Sequence, residues 1–135
     1  MSKRTIMRTI RIYCKECECE LTPELTEIPE LNLWENHLEI MNENNFCILH
    51  NSKLNNRSLI VAINDYNLKD HPDTSRFYGC CGSDGSNGLN KLCLNGHEVA
   101  TEFSDCKTDE HIQFDNRKVI FKEKLGNNIY KVFEL

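Results

Sequence analysis

Apolar and polar positions alternate along Thr5–Tyr13, with Ile6, Ile10 and Ile12 on one side and Met7 and Tyr13 on the other. A period of two is the mark of a strand with one buried face, so this segment is expected to be a β-strand. "NFCILH" (45–50) and "SLIVAI" (58–63) are short apolar runs rich in branched residues and bounded by asparagines. Such runs predict buried strands, here joined by "NSKLNNR". Further strands are predicted at "HEVATEF" (97–103), "HIQF" (111–114), "KVIFKEK" (118–124) and "NIYKVFEL" (128–135), with "FDNRK" and "LGNN" as hairpin turns. Pro23 and Pro29 interrupt the segment after the first strand, which is expected to be irregular apart from a short strand or helical turn near Leu31–Leu38. "NDYNLKDHPDTSR" reads as a loop with at most one helical turn. The expected fold is mainly β (β-rich α+β), a single small domain over residues 1–135 with antiparallel strands.

Bulk composition narrows the class without naming a function. A chain of 135 residues is about one domain long. Its hydrophobic share of 39% is enough for a folded core and its charge too modest to force disorder. No apolar run approaches the roughly 18 residues of a membrane-spanning helix. "MSKRTIMRTIRIY" lacks the continuous apolar segment of a signal peptide. A cytoplasmic location is the expectation, and it changes the meaning of the eight cysteines: in a reducing compartment, closely spaced thiols point to metal or redox chemistry before disulfides.

Spacing decides between those two. Cys14-Lys-Glu-Cys17 directly follows the first predicted strand, where a C-x-x-C turn lets two thiolates converge on one tetrahedral ion. Redox use requires a depressed thiol pKa, usually from a helix N-terminus. Here no helix is evident, and Glu16, Glu18 and Glu20 crowd the thiols with like charge. A bound dication reverses that penalty, so metal is favoured. Cys19 extends the motif and competes with Cys17 as ligand. Cys93-Leu-Asn-Gly-His97 offers the second half, with Gly96 permitting the reversal a knuckle needs. Cys14, Cys17, Cys93 and His97 together make a Cys3His set suited to structural Zn2+, across an insert of 75 residues. Cys80, Cys81 and Cys106 are candidates for a second metal site, and Cys47 reads as a buried apolar residue. The loop "GSDGSNG" lacks both the closing Lys-Ser/Thr of a phosphate loop and the acids of an EF-hand. Asp84 and Asn87 are expected to hydrogen-bond to backbone amides of that loop.

Charge is distributed unevenly. Residues 1–15 hold Lys3, Arg4, Arg8, Arg11 and Lys15 and no acid, whereas residues 16–50 hold nine glutamates and no Lys or Arg. One-signed fields steer association, so Glu24, Glu27 and Glu30 are the candidate contacts for a basic protein partner. Nucleic acid is disfavoured, since only the N-terminal strand offers the positive footprint phosphates require. A nucleic-acid-binding zinc ribbon using Arg4, Arg8 and Arg11 is the alternative. A third reading is a thiol enzyme or redox protein, for which Cys80 or Cys81 with His97 and Asp105 has the residue types of a triad.

"YGCCGSDGSNGLNKLCLNGHEVATEFSDC" resembles a group of small, cysteine-rich, zinc-ribbon-like bacterial proteins. Their shared pattern is an early C-x-x-C, a GCCG-x-DG-x-x-G-x-N loop, a Cys/Gly knuckle, and E-V-A-T followed by S-D-C-W. Cys14 and Cys17, Gly79–Gly82 with Asp84, Gly85, Gly88 and Asn90, Cys93 with Gly96 and His97, Glu98–Thr101 and Ser104–Cys106 carry it here; Lys107 stands where the pattern has Trp. The resemblance spans about a third of the chain and implies a zinc-ribbon-like scaffold with no established activity. Small acidic bacterial proteins of this kind are similar in type to immunity proteins that neutralise toxins. The functional expectation is a non-enzymatic, zinc-stabilised binding module for a protein partner, such as a basic toxin domain.

Overall fold

The computed structural model describes residues 8–29, 44–51, 53–64, 66–105 and 110–135. Ten strands are defined in it: β1 (Thr9–Cys14), β2 (Leu25–Glu27), β3 (Asn45–Asn51), β4 (Asn56–Val61), β5 (Leu68–Asp70), β6 (Lys91–Cys93), β7 (Glu98–Phe103), β8 (His111–Phe114), β9 (Val119–Gly126) and β10 (Ile129–Phe133). A single 3-10 turn, Thr74–Phe77, lies between β5 and β6, in the segment expected to hold at most one helical turn. The mainly β expectation holds. The region near Leu31–Leu38 lies outside the described residues.

All ten strands belong to one sheet, in the order β10-β9-β1-β2-β3-β4-β8-β7-β6-β5. Every pairing is antiparallel except β2 with β3, which run parallel. The alternation in β1 sets its faces as expected: Ile10, Ile12 and Cys14 are fully buried, while Arg11 and Tyr13 are half-buried on the other side. Three short strands were not anticipated. β2, β5 and β6 have three residues each, too few for a period of two to stand out.

The sheet is strongly curled. β1 and β6 are six positions apart in the strand order, a separation of roughly 29 Å in a flat sheet with strands about 4.8 Å apart. Yet the ends of these strands meet. Asn67, just before β5, donates its backbone N–H to Leu21 O (3.0 Å) and its side-chain amide to Glu20 O (3.1 Å), joining the segment after β1 to the far edge. One core fills the inside of the curl, with Ile10 and Ile12 from β1, Phe46 from β3, Leu59 and Val61 from β4, and Phe114 and Phe121 from β8 and β9. Phe46, Phe114 and Phe121 are almost fully enclosed, each stabilising the fold by about 1.5–3 kcal/mol relative to exposure. Cys47 is buried with Ile60 in a smaller cluster on the other side of the sheet, as an apolar residue should be.

Candidate metal centre

Two hairpin turns meet where the sheet closes on itself. The first follows β1. Cys14 donates its backbone N–H to Cys19 O (2.9 Å) and accepts from Glu18 N–H (2.8 Å), and Glu18 takes a left-handed φ of 59°. The second joins β6 to β7. Cys93 donates to His97 O (2.8 Å) and accepts from Gly96 N–H (2.9 Å), with Gly96 at φ 91°. Each turn thus places a buried cysteine at the end of a strand and returns the chain through one left-handed residue. In the first turn that residue is a glutamate, which tolerates the conformation poorly; in the second it is glycine, which adopts it freely.

The donor atoms of Cys14, Cys17, Cys93 and His97 all lie within 4.8 Å of one another. Cys17 Sγ is 3.8 Å from Cys93 Sγ, Cys14 Sγ is 3.7 Å from His97 Nδ1, and Cys93 Sγ is 3.3 Å from His97 Nδ1. A tetrahedron with metal–sulfur bonds of about 2.3 Å and a metal–nitrogen bond of about 2.0–2.1 Å has edges of about 3.8 Å between sulfurs and about 3.6 Å from sulfur to nitrogen. The observed spacings fit that size, so the four residues can hold a metal ion. Cys14 and Cys93 are fully buried, while Cys17 and His97 are half-buried.

Local hydrogen bonds favour the anionic form at two of the three sulfurs. Asn95 donates its amide to Cys17 Sγ at 3.2 Å, and this bond, followed by contacts to Cys19, brings the Cys17 thiol down to about 5. Burial opposes ionisation of Cys93, but the backbone donors of His97 and Asn95 and the His97 ring outweigh it and its pKa falls. Burial dominates at Cys14 and raises its pKa. His97 is raised by hydrogen bonds to Cys17 and Cys93. Cys19 stands outside the four-donor set, although its sulfur is only 3.3 Å from that of Cys17. Burial and the hydrogen bond to Cys17 push it up to about 12. Of the two competing ligands the geometry selects Cys17.

The second cysteine group has a different construction. Donor atoms of Cys80, Cys81 and Asp105 also lie within 4.8 Å of one another. Buried Asp105 accepts from the backbone N–H groups of Cys80 (3.4 Å) and Cys81 (3.2 Å), and its carboxylate lies 3.1 Å from Cys81 Sγ. Cys80 is an exposed free thiol, whereas Cys81 is disulfide-bonded, and a disulfide sulfur supplies no thiolate to a metal. Cys106, the third expected ligand, lies outside the described residues. Asp105 enters this group in a role that cysteine spacing does not signal.

The same loop is braced by buried Asn90, whose amide donates to Ser83 Oγ (2.9 Å) and whose carbonyl accepts from Glu102 N–H (2.7 Å). Arg76 and His71 both reach Glu98, tying the 3-10 turn to β7. Asp84 accepts from Ser86 N–H and Oγ within the loop as expected, whereas Asn87 donates to the carbonyl of Tyr78, before the loop, instead of bonding to a loop amide. The triad of the thiol-enzyme reading is not assembled: Asp105 stands beside Cys80 and Cys81, but His97 directs Nδ1 to Cys14 and Cys93 at the other centre.

Nor do the described members of the acidic set form a free acidic face. Glu24 pairs with Lys124 (2.9 Å) and Arg11 (3.6 Å) and accepts from Tyr130; Glu27 pairs with Arg8 (2.9 Å). Glu30 lies outside the described residues. These pairs equally occupy Arg8 and Arg11, two of the three arginines on which the nucleic-acid reading depends; Arg4 lies outside the described residues. Glu16 and Glu18, on the first knuckle, remain exposed.

No family model matches the chain, and neither a curated protein nor a solved structure matches it. No helix among the described residues is long and apolar enough to cross a membrane.

Proposed function

We propose that this protein is a non-enzymatic binding module whose curled sheet is stapled by one structural Zn2+ held by Cys14, Cys17, Cys93 and His97. The carrying observation is the four-donor set, spaced as the edges of a tetrahedron. Three thiolates and one imidazole favour zinc over the hard, oxygen-seeking cations. Four protein ligands also complete the coordination shell, leaving no position for a substrate or an activated water, and that separates a structural site from a catalytic one. The residues supply the rest: the two turns position the sulfurs, and Asn95 and the His97 backbone N–H donate to Cys17 and Cys93.

The partner in this reading is a protein with a basic surface, such as a toxin domain, supported by the net charge of −5. Its contact is better sought at exposed Glu16 and Glu18 on the first knuckle than at Glu24 and Glu27, which are engaged with Arg11, Lys124 and Arg8. Elemental analysis of purified protein tests the metal directly. Close to one zinc per chain is expected, released when thiols are titrated. Protein that carries no zinc and takes up none when reduced and resupplied overturns the reading.

A further inference from the structure

Cys19 is not one of the four donors, yet its sulfur is 3.3 Å from the sulfur of Cys17. Sequence neighbours two apart do not reach each other this way on an extended chain, where their Cα atoms lie about 7 Å apart, at the far limit of a disulfide's span. The left-handed Glu18 between them bends the backbone and closes that gap. Exposure singles out the same pair: Cys14 and Cys93 are fully buried, whereas Cys17 and Cys19 are half-buried and within reach of solutes.

Resting on the metal reading above, we propose that Cys17 and Cys19 form an oxidation site, in which a peroxide converts the ligand Cys17 and its neighbour into a disulfide and expels the metal. The Cys17 thiolate attacks one peroxide oxygen, the O–O bond breaks, and the site holds a sulfenic acid while hydroxide leaves. The Cys19 sulfur then attacks the Cys17 sulfur, the S–O bond breaks, and the departing oxygen leaves as water with the Cys19 proton. Two electrons pass from the two sulfurs to the peroxide. With Cys17 neutral and cross-linked, the centre keeps only Cys14, Cys93 and His97, one donor short of a closed tetrahedron. Reduction by a dithiol restores both thiols and the fourth ligand.

The test compares the full zinc-loaded chain with its Cys19→Ser variant. Hydrogen peroxide is added, zinc release is followed with a chromogenic chelator, and disulfides are mapped by peptide mass spectrometry. In the wild type, release is expected to accompany loss of two hydrogens from the peptide holding Cys17 and Cys19, and dithiothreitol with added zinc should reverse both. C19S should start with the same zinc content, release it roughly tenfold more slowly, and accumulate sulfinate at Cys17. Release from C19S at the wild-type rate, or a disulfide mapped to Cys14 and Cys17, overturns the proposal. Loss of zinc from folded C19S before any oxidant overturns it too, since Cys19 would then be a ligand. If C19S does not fold, the disulfide map of the oxidised wild type decides alone. Wild-type protein without zinc sinks the metal reading separately, because the peroxide-induced pairing of Cys17 with Cys19 is still read by mass.

Discussion

The two cysteine groups hold similar side chains and are built on opposite plans. The knuckle centre gathers Cys14, Cys17, Cys93 and His97 from strands six positions apart in the sheet, and its spacings suit an ion none of the residues replaces. The Cys80–Cys81 loop satisfies itself: Asp105 accepts both backbone N–H groups, and Asn90, Ser83 and Ser104 complete the bracing. The long-range site of converging sulfurs could be held by a metal ion, whereas the local loop is braced by hydrogen bonds to a buried carboxylate and carries a disulfide at Cys81.

Removing the proposed ion is the most severe way to break this comparison. Structural zinc contributes an apparent binding energy of about 10–16 kcal/mol near neutral pH, as large as the entire stability of a typical domain, about 5–15 kcal/mol. A strong chelator, or Cys93→Ser, is therefore expected to abolish cooperative thermal unfolding followed by circular dichroism. Cys80→Ser, at an exposed free thiol, should stay within about 0.5 kcal/mol of wild type in a denaturant titration. Equal damage from the two serines would erase the distinction between the groups.

Next in size is Asp105→Ala, which strands two backbone donors and should cost about 1–3 kcal/mol in urea unfolding. Its zinc content should match that of wild type; zinc loss would mean the groups are one coupled unit. Two glycines sharpen the contrast further. A Cβ on Gly85 (φ 77°) meets the Phe103 ring at 2.1 Å, while one on Gly96 (φ 91°) meets nothing within 4 Å. Gly96→Ala is expected to cost about 1 kcal/mol from backbone strain alone, and Gly85→Ala that amount plus about 1–3 kcal/mol of ring displacement. A thermal melt of each variant checks the order.

The smallest expected effect is an acid one, away from both groups. The hydrogen bond from Lys124, followed by the charges of Lys124 and Arg11, holds the Glu24 carboxyl below its ordinary value of 4.5. A depressed carboxyl adds stability above its unfolded-state pKa and loses it as pH falls through the folded one. Wild type should thus lose part of its margin over Glu24→Gln below about pH 4.5. Unfolding midpoints measured from pH 6 down to about pH 3 should converge for the two proteins; parallel curves would show that the pairing does not shift this group.

Much of this was readable in the chain, for identifiable reasons. The alternation that includes Ile10 and Ile12 marked β1 and its buried face, and the branched runs marked β3 and β4. The candidate metal donors were legible because C-x-x-C and C-x-x-x-H are local spacings with one dominant chemical use. Cys17 could not be separated from Cys19 by spacing, because the choice depends on the left-handed bend at Glu18. Asp105 was equally hidden in its role as a backbone acceptor, since a carboxylate's partners are set by how a loop closes. The acidic stretch misled for a related reason. Counting charges shows one sign, but β1 pairs with β2, which sets Arg8 and Arg11 against Glu27, Glu20 and Glu24.

Joining the two knuckles through an ion, as proposed, would have a consequence for the length of chain between them. Between Cys17 and Cys93 run 75 residues, and the closure entropy of such a loop grows only with the logarithm of its length, by about 0.6 kcal/mol for each doubling. Insertions or deletions in the intervening connections therefore barely alter the cost of bringing the clamp together. Tolerance to a change in length would lie in the connections between strands, since β2, β3, β4 and β5 within that stretch are fixed by the sheet and core they help to build.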